Sequence, residues 1–86
     1  MMTAGQLRAA RALLAMDQKT LADLASVSLP TIQRMEASDG VVRGTVETLT
    51  KVIEALNGAG IELIGENAKS EAGGRGVRLR DVLPKP

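Results

Sequence analysis

The stretch SVSLPTIQRMEAS, Ser26 to Ser38, gathers side chains that can grip or read a polar surface. Helical spacing from Leu29 to Ala37 turns Ile32 and Met35 inward, joined by Val27 from the preceding turn. It turns Leu29, Pro30, Gln33, Arg34 and Ala37 to the opposite side. Gln33 carries a donor beside an acceptor, and Arg34 carries a planar fork of donors. Leu29 and Pro30 offer apolar surface, and proline is tolerated in a first helical turn because no hydrogen bond is lost there. These groups match base edges in a DNA major groove. A glutamine amide pairs with adenine through two bonds, a guanidinium with guanine or a phosphate, and the thymine methyl is the apolar feature on that surface. Gln18 and Lys19 open the preceding segment, DQKTLADLA. They are placed for phosphate, which the free N–H groups and dipole of a helix N-terminus attract. The bland alternatives are a solvent-facing helix that happens to begin with Leu-Pro, and a Lys19 that is merely solvated.

Composition narrows the chemistry. The chain has 86 residues, no cysteine and no histidine. Disulfides, thiolate nucleophiles, Cys/His zinc sites and imidazole acid–base catalysis are therefore excluded. No close pair of carboxylates sits in an apolar setting, so neither an enzyme nor a cofactor is expected. Phe, Trp and Tyr are also absent, which removes the aromatic stacking used by most single-strand and RNA binders. The net charge of +1 names no partner by itself; what matters is whether basic residues share a face. No apolar run approaches the length of a membrane span and no signal peptide opens the chain, so a cytoplasmic location is expected.

The elements that must position these residues can be read from periodicity. TAGQLRAARALLAM, Thr3 to Met16, repeats apolar residues at three and four and is built of strong helix formers, with Thr3 as N-cap. Arg8 on this helix is expected to face water. Asp17 caps a second helix of about two turns over 17–25. Ser28 caps a third, running to about Ala37. A fourth starts at Thr45 and ends at Asn57-Gly58, with Val46, Leu49, Val52, Ile53 and Leu56 as its buried stripe. GIELIGE and GVRLRDV then read as strands, with the polar, glycine-rich NAKSEAGGRG between them and a frayed LPKP at the end. Segment SEAGGRGVRLR lacks the Gly-Lys-Ser/Thr of a phosphate-binding loop and precedes a strand, so a hairpin loop is the better reading. Arg78 and Arg80 are expected to blunt a strand edge, with a second DNA contact as the alternative.

Taken together, DQKTLADLASVSLPTIQRMEAS resembles the helix-turn-helix of phage Cro and repressor proteins, the XRE family. The likeness spans roughly Leu7 to Leu56. It rests on the glutamine opening the second helix, Leu21-Ala22, Val27-Ser28, Thr31-Ile32 and Glu36. The resemblance implies that Gln18 binds a phosphate and helps orient the third helix. It implies that Ser28, Leu29, Pro30, Thr31, Gln33 and Arg34 face bases or flanking backbone, and that Arg43 touches phosphate. It also implies an internal ion pair between Arg11 and Glu36. Two features depart from the family. Ser26 stands where a left-handed glycine is usual, and the fifth helix is replaced by strands, as in Cro.

The expected fold is therefore mainly α: four helices forming a Cro/repressor-like helix-turn-helix domain over 1–58, with a small C-terminal β-hairpin or dimerisation strands over 59–83 and a tail over 84–86. An 86-residue chain buries only about 60–65% of its unfolded surface, so pairing with a second copy would help it. Ile61, Leu63, Ile64, Val77 and Leu79 are expected to carry that contact, the alternative being a hairpin folded onto its own helices. The expected function is that of a homodimeric, sequence-specific double-stranded DNA-binding regulator. Repression is favoured because so small a chain has little surface left for a ligand or for polymerase. The rival reading is an antitoxin or interaction module whose C-terminal segment binds a regulatory protein partner.

Overall fold

The computed structural model describes residues 2–80. Four helices, α1 (Ala4–Leu14), α2 (Gln18–Ala25), α3 (Leu29–Glu36) and α4 (Val46–Gly58), are followed by strands β1 (Ile61–Ile64) and β2 (Gly76–Leu79). The fold is mainly α with a two-stranded antiparallel sheet. Asp81, Val82 and the LPKP ending lie outside the described residues, as do the last residues of the 59–83 segment and the 84–86 tail.

Each helix begins on a side chain that accepts from its own first turn. Thr3, Asp17, Ser28 and Thr45 are the four N-caps, and each satisfies an otherwise orphaned N–H. Helix α1 stops two residues before the end expected from periodicity, because Ala15 is left-handed at φ 52. Its N–H and that of Met16 turn back onto the carbonyls of Ala12 and Arg11, closing the last turn.

The core is aliphatic. Leu7 and Ala10 of α1, Leu21 of α2, Ile32 and Met35 of α3, and Val52 and Leu56 of α4 are essentially inaccessible to solvent. Val46 does not belong to it. Its side chain is 77% exposed, because it sits in the first turn of α4, about 90° around the helix from the line of Leu49, Val52 and Leu56. Ile53 is only half-buried for a similar reason.

Gly60, at φ 104, makes the abrupt change from α4 to β1 that a side chain would resist. The strands pair Ile61 with Leu79, Glu62 with Arg78, Leu63 with Val77 and Ile64 with Gly76. Alternation along the strands then decides what each face does. Ile61 is fully buried, and Leu63 and Val77 pack against the same core. The other face carries the Glu62–Arg78 ion pair at 2.9 Å. This corrects the expectation for Ile61, which is enclosed by its own chain and presents nothing to a second copy. The hairpin folds onto its own helices, leaving Leu79 45% exposed and Leu63, Ile64 and Val77 half-buried.

Candidate nucleic-acid interface

Helices α2 and α3 are joined by a turn set by two backbone features. Ser26 adopts φ 58, the left-handed conformation usually given to glycine. The Val27 N–H then returns to the Ala22 carbonyl at 3.0 Å. Ser28 starts α3 by accepting from the Thr31 N–H at 3.2 Å. The result is a helix-turn-helix, with Val27 half-buried against the core and Ile32 and Met35 anchoring the inner side of α3.

Glu36 locks this unit to α1. Its carboxylate receives Nε of Arg11 at 2.6 Å and Nη2 of Arg11 at 2.8 Å, a bidentate charge-assisted pair. The remaining Arg11 nitrogen, Nη1, donates to the Met16 carbonyl at 3.0 Å. Gln18 Nε2 adds a third bond to the carboxylate at 3.1 Å, and Arg8 donates to the Glu36 backbone carbonyl. Burial pushes the Glu36 carboxyl up. The bonds from Arg11 and Gln18 and the charges of Arg11 and Arg8 together outweigh it and hold the carboxyl below its ordinary range. Arg11 is raised in turn by its bond to Glu36. Three helices thus meet at one carboxylate that is only 5% exposed.

One of these side chains takes on a role not expected of it. Arg8 remains exposed, yet its guanidinium caps the end of α3 instead of facing only water. Gln18 turns its amide to Glu36, so orienting α3 is the part of its expected role that is visible in the geometry. Its amide carries a second hydrogen besides the one given to Glu36.

The outer surface of α3 is shorter than periodicity alone suggests. Pro30, Gln33, Arg34 and Ala37 are exposed. Leu29 is half-buried and packs against the core, which corrects its placement on the open face. It lies nearly in line with Glu36, seven residues on, and so shares the margin of the inner side. Ser28 and Thr31 hold each other's hydroxyls at 2.8 Å, and Arg34 Nη2 reaches Thr31 Oγ1 at 3.4 Å. Lys19 pairs with Asp23 at 3.2 Å, both side chains largely in water, so that pair contributes little. Arg43 is exposed in the loop between α3 and α4 and makes no hydrogen bond or ion pair among the described residues.

No protein-family model and no curated protein matches this chain. The likeness to the Cro and repressor family therefore rests on the sequence residues alone. Among the described residues no group of three or more acidic side chains is arranged to hold a metal ion, and no helix is long and apolar enough to cross a membrane.

Sequence reasoning missed Gln6. Its amide nitrogen donates to the Ile64 carbonyl at 2.9 Å and the Gly76 carbonyl at 2.8 Å. Its oxygen accepts from the Thr3 N–H at 2.9 Å. The Thr3–Gln6 spacing is a capping-box signature readable from sequence, but nothing in the sequence points to the strand carbonyls.

Proposed function

We propose that this chain is a sequence-specific double-stranded DNA-binding regulator of transcription, acting as a homodimeric repressor with α3 in the major groove. The observation that carries this reading is the outer face of α3. Pro30, Gln33 and Arg34 are exposed on a helix whose inner side is fixed by Ile32, Met35 and the Arg11–Glu36–Gln18 junction. A reading helix must be held rigidly if its contacts are to discriminate. Gln18 at the N-terminus of α2 and Arg43 in the loop after α3 would bind phosphate on either side. The work asked of the chain is binding alone, needing neither catalysis nor a cofactor, and it would be done in the cytoplasm.

Homodimerisation belongs to the same proposal. Two-fold operators place recognition helices about 34 Å apart, one turn of DNA, so two copies must touch. The accessible parts of the hairpin for such a contact are exposed Leu79, half-buried Leu63, Ile64 and Val77, and the strand edges. The packing of β1 and β2 on α1 and α4 favours this reading over a C-terminal segment that waits for a protein partner to order it.

The test is selection from a random pool of duplex DNA at two salt concentrations. Enrichment of a two-fold-symmetric site with half-sites one turn apart is the expected result. If no sequence is enriched and weak binding disappears at the higher salt, only backbone attraction is present. The regulator reading then fails in favour of a protein-interaction module.

A further inference from the structure

We propose that residues 2–4 position Arg43 for its phosphate, by pairing with residues 40–42 of the loop that carries it. The inference rests on the DNA-binding reading above and adds the device that holds one of its backbone contacts ready.

The Arg43 side chain has no support of its own. It is exposed and makes no hydrogen bond or ion pair among the described residues. A long side chain on a loose loop loses the freedom of both when it binds, and affinity falls accordingly. The backbone on either side of Arg43 is held, however. Thr3 and Val41 form an antiparallel bridge. Flanking it, the Ala4 N–H donates to the Gly40 carbonyl at 2.8 Å and the Val42 N–H to the Met2 carbonyl at 3.0 Å. The side chains of Met2 and Val42 are both buried, so the core grips the two strips that these bonds join. Gly40, at φ 81, turns the chain into this pairing. Beyond Arg43, a Cβ added at Gly44 would lie 3.3 Å from Met35 Cε, so the backbone there lies close against α3.

Segment 2–4 is anchored in its turn. Gln6 Oε1 accepts from the Thr3 N–H at 2.9 Å, and Thr3 caps α1. Met2 and Ala4 are buried and Thr3 is half-buried. None of the three carries a charge to offer a phosphate. Their effect on DNA must therefore pass through the loop, which makes them positioning residues for Arg43.

Ala4→Pro isolates the link. Ala4 is the first residue of α1, where proline is accepted because that N–H joins no helical bond. Thr3 already has the extended backbone required before a proline, φ -91 and ψ 160. The substitution deletes the bond to Gly40 and leaves the helix able to form. Using the full chain, checked for folding by circular dichroism, and the duplex enriched by selection, affinity should fall about two- to twelvefold, the effect of having to order one long side chain on binding. In an Arg43→Ala background the same substitution should weaken binding no further, because the group it positions is gone. A merely structural role would give the same loss in both backgrounds, and that result overturns the proposal. Gly40→Ala repeats the test from the other strip should Ala4→Pro fail to fold. Its Cβ would meet nothing within 4 Å, but the backbone angle of φ 81 is strained for alanine. It should show the same dependence on Arg43. Unchanged affinity in the folded variants also overturns the proposal while DNA binding stands. If no duplex is enriched by the natural protein, the DNA-binding reading fails and this inference fails with it.

Discussion

The Gln6 amide nitrogen lies 2.9 Å from the Ile64 carbonyl, 58 residues later in the chain. The same nitrogen reaches the Gly76 carbonyl on the neighbouring strand, while the amide oxygen holds the N–H of Thr3, the cap of α1. One side chain, 6% exposed, therefore starts the first helix and fastens the loop end of the hairpin to it. The other end of the hairpin is held by backbone, through the Arg80 N–H on the Gly60 carbonyl at 2.7 Å, and by Arg80 Nη2 on the Asn57 carbonyl. The C-terminal strands are thus joined to the helical domain at both ends.

Replacing Gln6 by alanine should cost about 2–3 kcal/mol, since it strands two strand carbonyls and a helix-cap N–H. The loss should be uneven. Amide hydrogen exchange should quicken most over 61–79 and least over α2 and α3, which Gln6 does not touch. Uniform acceleration would mean that the hairpin and helices unfold as one unit.

Arg11→Ala should destabilise the fold by roughly 3 kcal/mol, the lower end of the range for breaking a buried pair, because the Arg11 side chain is still 22% exposed. The pair also predicts a pH dependence. Glu36 is held below its ordinary value of 4.5, so the folded state binds fewer protons than the unfolded one. Stability from this group is fully present above 4.5 and is lost as pH falls through the lower folded value. Denaturant melts of the natural protein should show that acid loss, and Glu36→Gln should flatten the part of the curve due to this carboxylate. An unchanged acid limb would assign the dependence to other groups, Asp17 first among them, since it too is held low, by its bonds to Thr20.

Ala15 and Ser26 both sit at left-handed backbone angles, φ 52 and φ 58. Glycine adopts these angles without a side-chain penalty, so Ala15→Gly and Ser26→Gly should each stabilise by about 0.5–1 kcal/mol. In a domain of this size 1 kcal/mol is a rise in Tm of about 4–8 °C, readable in a thermal melt. A fall in Tm for Ser26→Gly would show that this serine supports the turn in some way beyond its backbone angle.

If the regulator reading holds, Arg43→Ala should weaken binding to selected and unrelated duplexes alike and lower the salt slope by about one. Fluorescence anisotropy across a salt series measures both. A loss confined to the selected site would move Arg43 from the phosphate backbone to a base.

Local signals were legible in the sequence. Thr3, Asp17, Ser28 and Thr45 announce their helices because a cap acts within four residues of itself. The inner positions of α3, Ile32 and Met35, follow from the helical period. Where a residue lies near the margin of a stripe, periodicity fails, and Leu29 and Val46 show it in opposite directions. Leu29 is half-buried where exposure is expected, and Val46 is exposed where burial is expected. A helical wheel gives angles, but the neighbouring element decides how much of the margin it covers.

By itself the sequence determined the four helices, the turn between α2 and α3 and the pairing tendency of the two strands, since each depends on neighbours a few residues apart. Tertiary structure alone decided where the apolar side of the hairpin would go and which polar side chains would be drawn inward. Ile61 closes the chain's own core, Gln6 bridges two strands, and Gln18 joins Arg11 at Glu36. An alternating strand can cover its own helices or another copy's with the same pattern. A glutamine has the same donors whether it meets water, a phosphate or a carbonyl 58 residues away. Only the folded chain, by bringing those partners within bonding distance, selects among them.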